Sequence, residues 1–226
     1  EYVNVLKNDL QFIKNNKKIE YEIGKKDLHA SGKHYWSKNE NEYYFTIDDD
    51  IIYPPNYVSN SLKMLKKYDD KVIITCHGRI LTQKTSGYYT DKETEVLHFN
   101  NKAKDGKIRP SRKINRICNI AGCGVSLRNT NIVKIDIDKF KHYDMDDIEV
   151  AIQANNQNIP IIVRRGPPLK EIYSKIPETT RIFPKYKNND SKQTNRYNQH
   201  EWKIITPETQ IKNKTISVFI DTNFPL

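Results

Sequence analysis

Three consecutive aspartates, Asp48 to Asp50, follow a hydrophobic segment and precede two prolines, and this arrangement constrains the fold most. The segment 43–47 is rich in aromatic and β-branched residues, which predicts a strand. Adjacent carboxylates repel each other, so three at a strand end indicate a cation or a basic partner nearby. Oxygen ligands suit Mg²⁺ or Mn²⁺, ions that commonly hold phosphate oxygens as well. A solvated acidic turn is the alternative interpretation.

The residues after the triplet predict a helix and a second strand. Pro55 suits the first turn of a helix, and Val58, Leu62 and Leu65 would form its apolar stripe. Residues 71–76 predict a buried strand. The order strand, helix, strand is typical of parallel sheets. We therefore predict an α/β domain with a mixed, mostly parallel sheet flanked by helices, and the triplet at the sheet edge where such folds bind ligands.

Further elements are predicted on both sides of this unit. Residues 146–156 predict a helix whose acidic first turn suits the helix dipole, and two glycines interrupt a strand-like segment at 117–127. The other predictions are a helix over 2–15 and strands over 19–23, 95–99, 160–163 and 216–220. We predict one main domain, residues 1–170, and a C-terminal extension, residues 171–226, that packs on or covers the site.

The chain is basic, with a net charge of +10 and a pI of about 9.3. This charge favours anionic partners: a nucleotide, an acidic glycan, a nucleic acid or a membrane surface. The basic residues are scattered along the sequence, so an ordinary solvated surface is the alternative. No apolar segment approaches membrane-spanning length and no signal peptide is evident, which predicts a cytoplasmic protein with, at most, peripheral membrane contact.

The chain has three cysteines, Cys76, Cys118 and Cys123. An odd number without paired spacing argues against a disulfide framework and favours a reducing compartment. Cys118 and Cys123 together with His142 resemble part of a zinc site. Their spacing is poor and their flanks are strand-like, so buried thiols are the preferred interpretation.

A second acidic cluster, residues 144–149, lies at the start of the predicted late helix. Asp144 or Asp146 would suit the helix N-cap. The functional alternative is a carboxylate that faces a reacting sugar, either as general base or as stabiliser of positive charge on the sugar carbon. Asp146 and Asp147 are the candidates for this role. Two acidic clusters at two element ends favour the functional interpretation.

Several basic residues are candidate phosphate ligands. Arg164 and Arg165 follow a predicted strand, and arginine pairs with phosphate in a bidentate way; ordinary surface charge is the alternative. Lys33 ends a segment, Ala-Ser-Gly-Lys, that lacks the full glycine pattern of a P-loop. His200 is a candidate metal or phosphate ligand, with a structural role as the alternative.

Residues 43–58, YYFTIDDDIIYPPNYV, resemble the signature of bacterial capsule and lipopolysaccharide glycosyltransferases of the GT-A fold, the group that includes the heparosan α-N-acetylglucosaminyltransferases. The resemblance extends over about residues 25 to 170. It includes looser matches at 27–33, 77–78, 121–124 and 144–148. It implies a GT-A-like (Rossmann-like) domain that binds a nucleotide sugar, usually a UDP-sugar, through Mn²⁺ or Mg²⁺.

The resemblance also assigns roles to individual residues. Asp50 would be the direct metal ligand, and Asp48 would bind the ribose, metal-bound water or the metal itself. Asp49 would assist in cofactor binding. Asp147 matches the aspartate of the late helix and would be catalytic, while Lys33 would lie near the nucleotide.

The sequence departs from the family at its start. GT-A domains begin with a strand that grips the uracil and ribose, whereas this chain opens in a predicted helix, so we expect the first strand to be missing from it.

We predict a metal-dependent glycosyltransferase that moves a sugar from a nucleotide donor to a glycan hydroxyl, and expect no nucleic-acid partner. Retention or inversion is left open, although the resemblance favours retention, and the oligomeric state is open. One alternative is a sugar nucleotidyltransferase, although the glycine-rich basic loop of that class is not evident. A metal-dependent nuclease and a non-enzymatic basic module that binds nucleic acid or acidic glycan are the others.

Overall fold

A computed structural model describes ten stretches of the chain. They are residues 15–20, 24–38, 42–48, 50–97, 100–102, 108–110, 115–164, 169–171, 189–203 and 205. The predicted strand over 216–220 and, apart from Asn15, the predicted helix over 2–15 lie outside them. Residues 19 and 20 of the predicted strand 19–23 are not in a strand, and the rest of it is outside the described residues.

The described residues form a mixed α/β structure. Its α-helices are α1 (Tyr57–Lys66), α2 (Asp146–Asn156) and α3 (Ser191–Asn198), and two 3-10 helices span His29–Lys38 and Ile137–Lys139. Its strands are β1 (Tyr43–Ile47), β2 (Ile51–Ile52), β3 (Ile73–Thr75), β4 (Gly78–Ile80), β5 (Glu95–Leu97), β6 (Asn100–Lys102), β7 (Ile108–Pro110), β8 (Arg116–Cys118), β9 (Ile120–Ala121), β10 (Val125–Asn129), β11 (Ile161–Val163) and β12 (Lys170–Glu171).

The main sheet has five strands in the order β1-β10-β3-β11-β8. Only β3 and β11 pair in parallel; the other neighbours are antiparallel. The prediction of a mostly parallel sheet was therefore wrong. The physical reason is that β10 lies between β1 and β3 and runs against both. As a consequence β1, β3 and β11 still point the same way, and their carboxyl ends share one edge.

The strand, helix and strand around the acidic triplet were predicted correctly, and two of the three residues of the predicted apolar stripe, Leu62 and Leu65, face the core. α1 begins at Tyr57, two residues after Pro55, and buries Tyr57 and Leu65 against the sheet. The exception is Val58, which is 51% exposed, while its neighbour Tyr57 is buried. β3 and β11 are buried along their whole length, as expected for central strands covered on both faces.

The strand-like segment over 117–127 is divided in the structure. β8, β9 and β10 come from it, and Gly122, Cys123 and Gly124 form the turn before β10. β9 joins β4 and β5 in a three-stranded sheet, while β2 pairs with β12 and β6 with β7. The break places the glycine turn at the edge of the main sheet where β1 ends, because Ile47 pairs with Val125.

The helix α3 and the residues after it pack on the rest of the domain. Tyr197 and Trp202 belong to the same buried cluster as Ile148 and Ala151 of α2. The described part of the C-terminal extension thus shares the main core. Within the described residues, no helix is long and apolar enough to cross a membrane.

Candidate active site

Asp48 lies directly after β1, and its carboxylate is held over the glycine turn. A side chain at Gly124 would place its Cβ only 1.7 Å from Asp48 Oδ2, so any residue other than glycine would displace the Asp48 carboxylate from this position. The hydroxyl of Tyr53 donates to the carbonyl of Gly124 over 2.5 Å and accepts from the N–H of Asp48 over 2.8 Å. These contacts fix the first residue of the acidic triplet at the end of β1.

Lys33 connects the two acidic clusters. Its ammonium forms an ion pair with Asp48 and lies 3.9 Å from Asp146 Oδ2. Burial alone would lower the pKa of Lys33, but the negative charges of Asp146 and Asp48 outweigh it and raise the pKa. The 3-10 helix that carries Lys33 is tied to the start of α2 by Ser31, which donates to the carbonyl of Tyr143 through its backbone and its hydroxyl.

Asp146 is buried beside His34, which the sequence did not single out. His34 Nδ1 faces a nitrogen of the Arg128 guanidinium at 3.5 Å, and since arginine cannot accept a hydrogen bond, Nδ1 is the acceptor. The proton of the neutral ring is therefore on Nε2, which faces Asp146 Oδ2 at 3.6 Å. Burial, together with the positive charges of Arg128 and Lys33, lowers the pKa of His34 and favours this neutral form.

His34, Asp146 and Cys123 form a buried group whose candidate ligand atoms lie within 4.8 Å of one another. Burial and the nearby aspartates raise the pKa of the Cys123 thiol well above its usual range, so it stays protonated. The cationic groups of Lys33 and Arg128 next to the group further oppose a bound cation. We interpret it as a buried polar cluster around Asp146.

The zinc fragment, the alternative interpretation of the cysteines, is not assembled. Cys118 is buried, and its thiol donates to the carbonyl of Ile120 over 3.2 Å, while His142 is absent from the group around Cys123. All three cysteines are free and buried, in agreement with the preferred interpretation.

Asp147 faces a different environment from Asp146. Its Oδ2 accepts a hydrogen bond from the hydroxyl of Tyr88, and its Oδ1 accepts one from the N–H of Ile148 over 2.9 Å. Burial, and then the charge of Asp146, raise the pKa of Asp147 to about 6. The hydrogen bond from Tyr88 and the positive charge of Arg79 limit this rise.

The two adjacent aspartates are thus driven apart in protonation. Burial alone would raise the pKa of Asp146, but His34 and Lys33 lower it, while Asp147 has a raised pKa. Pairs of titratable groups with separated pKa values are typical of acid–base sites.

Neither Asp144 nor Asp146 caps α2 through its side chain, since Met145 is the N-cap residue without a side-chain cap bond. The capping interpretation of this cluster was therefore wrong.

Of the other two members of the acidic triplet, the structure describes only Asp50. Asp50 lies in the turn before β2, is partly exposed, and its charge acts on Tyr53, which also contacts Asp48. Burial, and to a smaller extent the charges of Asp48 and Asp50, raise the pKa of Tyr53. Asp49 lies outside the described residues.

Arg164 reaches the same sheet edge as Asp48 but not the same place. It follows β11 and is buried, and its guanidinium lies 5.4 Å from the ring centre of Tyr57. Because β10 and β3 intervene, Arg164 and Asp48 start about 14 Å apart, at about 4.8 Å per strand. Its role as a phosphate ligand stays a prediction, and Arg165 lies outside the described residues.

His200 is not brought to the acidic clusters. Its Nε2 is 3.0 Å from Oδ1 of Asn155, and its ring packs edge-on against Trp202 at 4.7 Å. Asn155 lies near the far end of α2, about 13 Å along the helix from Asp146. The prediction of His200 as a metal ligand beside Asp48 and Asp50 does not fit this position, whereas the structural alternative does.

The site also includes residues that no sequence pattern singled out. Arg128 has a buried guanidinium 4.8 Å from the ring centre of Tyr44, and burial lowers its pKa to about 10. Tyr88 is fully buried and arrives from the loop between β4 and β5. Their roles depend on contacts between segments distant in sequence, which leave no local pattern. His34 had a weak signal, because it directly follows Lys33.

In comparisons with known proteins, no family model and no curated sequence matches this chain.

Proposed function

We propose that this protein is a metal-dependent glycosyltransferase that moves a sugar from a nucleotide donor, a UDP-sugar, to a hydroxyl of a glycan acceptor. The proposal depends above all on one observation: Lys33 bridges Asp48 at the end of β1 and Asp146 at the start of α2. This bridge brings together two acidic clusters that are about a hundred residues apart in sequence. One would serve the donor diphosphate and the other the reacting sugar.

A GT-A-like fold is part of this proposal. In support of it, β1, β3 and β11 point the same way, and Asp48 follows the carboxyl end of β1. Open α/β sheets bind ligands at this edge.

A cytoplasmic location is likewise proposed, and the three free, buried thiols agree with a reducing compartment.

The residues present fit a hard divalent cation. Asp50 is partly exposed and the side chain of Asp48 is 35% exposed, so both offer carboxylate oxygens that solvent can reach. Carboxylate oxygens are the ligands that Mg²⁺ and Mn²⁺ prefer. We therefore propose Asp50 and Asp48 as ligands. A bound cation would neutralise the charge of the departing nucleoside diphosphate.

The remaining residues have distinct proposed roles. Lys33 carries a positive charge next to Asp48 and would contact a donor phosphate. Asp147 would lie near the sugar carbon, where its carboxylate stabilises positive charge or accepts the proton of the acceptor hydroxyl. Its raised pKa suits proton transfer near neutral pH, since an effective general base has a pKa near the working pH. Asp146, held by His34 and Lys33, keeps this end of the helix negative.

A thermal-shift experiment tests the donor site. UDP should raise the melting temperature when Mn²⁺ or Mg²⁺ is present and should have little effect in EDTA, because only the metal complex binds. Asp50→Asn should remove this shift. Asp147→Asn should retain it and abolish sugar transfer. A wild-type protein without any metal-dependent effect of UDP would refute the proposed donor site.

The net charge of +10 favours a second candidate, a binding module for nucleic acid or acidic glycan. Such binding depends on counterion release, so it should weaken steeply between low and moderate salt and should not require a metal. A filter-binding assay with single-stranded DNA and with heparin at several salt concentrations, with and without EDTA, separates the two. Tight, metal-independent binding without a UDP effect would favour the module.

A further inference from the structure

The loop between β4 and β5 is held by side chains of α3 and of the residue before it. Thr194 Oγ1 accepts a hydrogen bond from the backbone N–H of Tyr88 over 2.9 Å. Asp190, the residue before α3, accepts one from the N–H of Tyr89 over 2.5 Å. Two successive backbone groups of the loop thus bond to side chains about a hundred residues away.

Two further contacts complete this attachment. Asn198, at the end of α3, accepts from the N–H of Thr85 over 2.9 Å and donates to its carbonyl over 2.8 Å. Arg196 forms a buried bidentate ion pair with Glu149 of α2, with distances of 2.7 and 2.8 Å. The helix α3 is therefore fixed to α2 on one side and to the loop on the other.

The loop in turn delivers a group to the candidate active site. The hydroxyl of Tyr88 donates to Asp147, and the tyrosine is fully buried. The guanidinium of Arg79 lies 5.3 Å from the ring centre of Tyr88 and 4.8 Å from that of Tyr89. A buried ring packed in this way has little freedom once its backbone is fixed.

We propose that α3 is a positioning element: through Thr194 and Asp190 it fixes the backbone at Tyr88 and so holds the tyrosine hydroxyl against Asp147. The proposal rests on the proposed function only in that Asp147 is taken as catalytic. Tyr88 and the residues of α3 act through Asp147. They are positioning residues and take no part in the chemistry.

Asp147 is surrounded by titratable and charged groups from several elements. Asp146 is next to it on α2, Arg79 faces it from β4, Tyr88 and Tyr89 from the loop, and Cys123 from the glycine turn. Of these, Tyr88 stabilises the carboxylate by a direct hydrogen bond. Loss or displacement of that donor should therefore raise the pKa of Asp147 further.

The experiment is an NMR titration of the Asp147 side-chain carboxyl carbon in the full chain, assigned by comparison with Asp147→Asn. Tyr88→Phe should raise the midpoint by about one unit, because a hydrogen bond to a charged group is lost. Thr194→Val, which keeps the shape of the side chain but removes the acceptor, should shift it in the same direction by a smaller amount. Asn198→Ala, which removes the contacts with Thr85, should loosen the loop in a second and independent way.

A matched control is available on the same helix. Lys192 pairs with Asp144 at the surface and makes no hydrogen bond or ion pair with the described residues of the loop, so Lys192→Ala should leave the Asp147 midpoint unchanged. A wild-type midpoint in both Thr194→Val and Asn198→Ala would overturn the positioning role. So would an equal shift in Lys192→Ala, which would show a general effect of weakening α3. An unchanged midpoint in Tyr88→Phe would overturn the link between the tyrosine and Asp147.

The titration needs no donor, acceptor or metal, so its outcome is separate from that of the UDP experiment. A protein without a metal-dependent UDP effect that still shows the expected shifts would lose the proposed function and keep the positioning role. The reverse result would keep the transferase and remove the role of α3.

Discussion

At the scale of single residues, Asp146 and Asp147 show how neighbouring copies of one side chain acquire different properties. Asp146 faces Lys33 and His34, whereas Asp147 faces a tyrosine hydroxyl and the charge of Asp146 itself. A carboxylate beside another carboxylate keeps its proton to higher pH. An Asp147 carboxylate that ionises poorly lowers the stability of the folded protein at neutral pH. Such a loss of stability is expected at a functional site, where stability and activity conflict.

This conflict gives a prediction for Asp147→Asn. The pKa of Asp147 is raised to about 6 in the folded state, so the folded state binds the proton more tightly than the unfolded state. Proton binding by Asp147 therefore adds to the free energy of unfolding. This contribution is complete below the pKa of the residue in the unfolded state and is lost as the pH rises through about 6. The variant should therefore be more stable at pH 7 by about 1–2 kcal/mol, a value reduced because the wild-type residue is partly exposed.

Urea unfolding at pH 4, 5, 6 and 7 checks this prediction. The gain from Asp147→Asn should grow across this range, while Glu201→Gln, which changes an exposed acid, should give a small and constant difference. A variant less stable than wild type at pH 7 would contradict the raised pKa.

Gly124 makes a second prediction at this scale. A Cβ on Gly124 would overlap the Asp48 carboxylate, whereas one on Gly32 would meet only Leu28 Cβ at 3.9 Å. Gly124→Ala should therefore rotate Asp48 away and reduce the metal-dependent UDP shift to less than half. Gly32→Ala, next to Lys33, should leave that shift intact. Equal UDP shifts in the two variants would show that the placement of Asp48 over the turn does not matter for binding.

At the scale of elements, the docking of α3 on α2 depends on a buried ion pair. Arg196 and Glu149 are both nearly inaccessible to solvent, and their two hydrogen bonds satisfy each other. Removal of one partner leaves a buried charge without compensation, which typically costs about 3–5 kcal/mol. Replacement of both by apolar residues removes the two desolvation penalties together.

We therefore predict strong non-additivity in urea unfolding. Glu149→Leu and Arg196→Met should each lower the free energy of unfolding by about 3 kcal/mol or more, and the double variant should be more stable than either. An additive loss would show that the pair contributes no more than two independent surface charges would.

The same elements show what the sequence could and could not reveal. The apolar periodicity and acidic start of α2 are local, and its predicted range, 146–156, is the observed one. The direction of the sheet is not local, because β10 inserts between β1 and β3 from about fifty residues further along the chain. Charge repulsion identified Asp48, but no pattern near Tyr88 indicates that its hydroxyl meets Asp147.

At the scale of the whole molecule, the described residues after position 171 pack into the same core as residues that precede it. Tyr197 and Trp202 lie in one buried cluster with residues of α2 and β11, and their rings stack at 4.5 Å. A shared core of this kind favours a single cooperative unfolding transition. The division into a main domain, residues 1–170, and an extension, residues 171–226, that packs on it stays a prediction.

The two tryptophans of the chain allow this to be tested. Trp36 is 37% exposed on the 3-10 helix beside Lys33, whereas Trp202 is 8% exposed and follows α3. Trp36→Phe and Trp202→Phe each leave one reporter, and within each variant the fluorescence and circular-dichroism transitions in urea should coincide, because the reporter's surroundings unfold with the whole molecule. If Trp202 fluorescence changed at clearly lower urea than the circular dichroism, the C-terminal segment would unfold as a separate unit. The positioning of Tyr88 would then be lost before the domain itself unfolds.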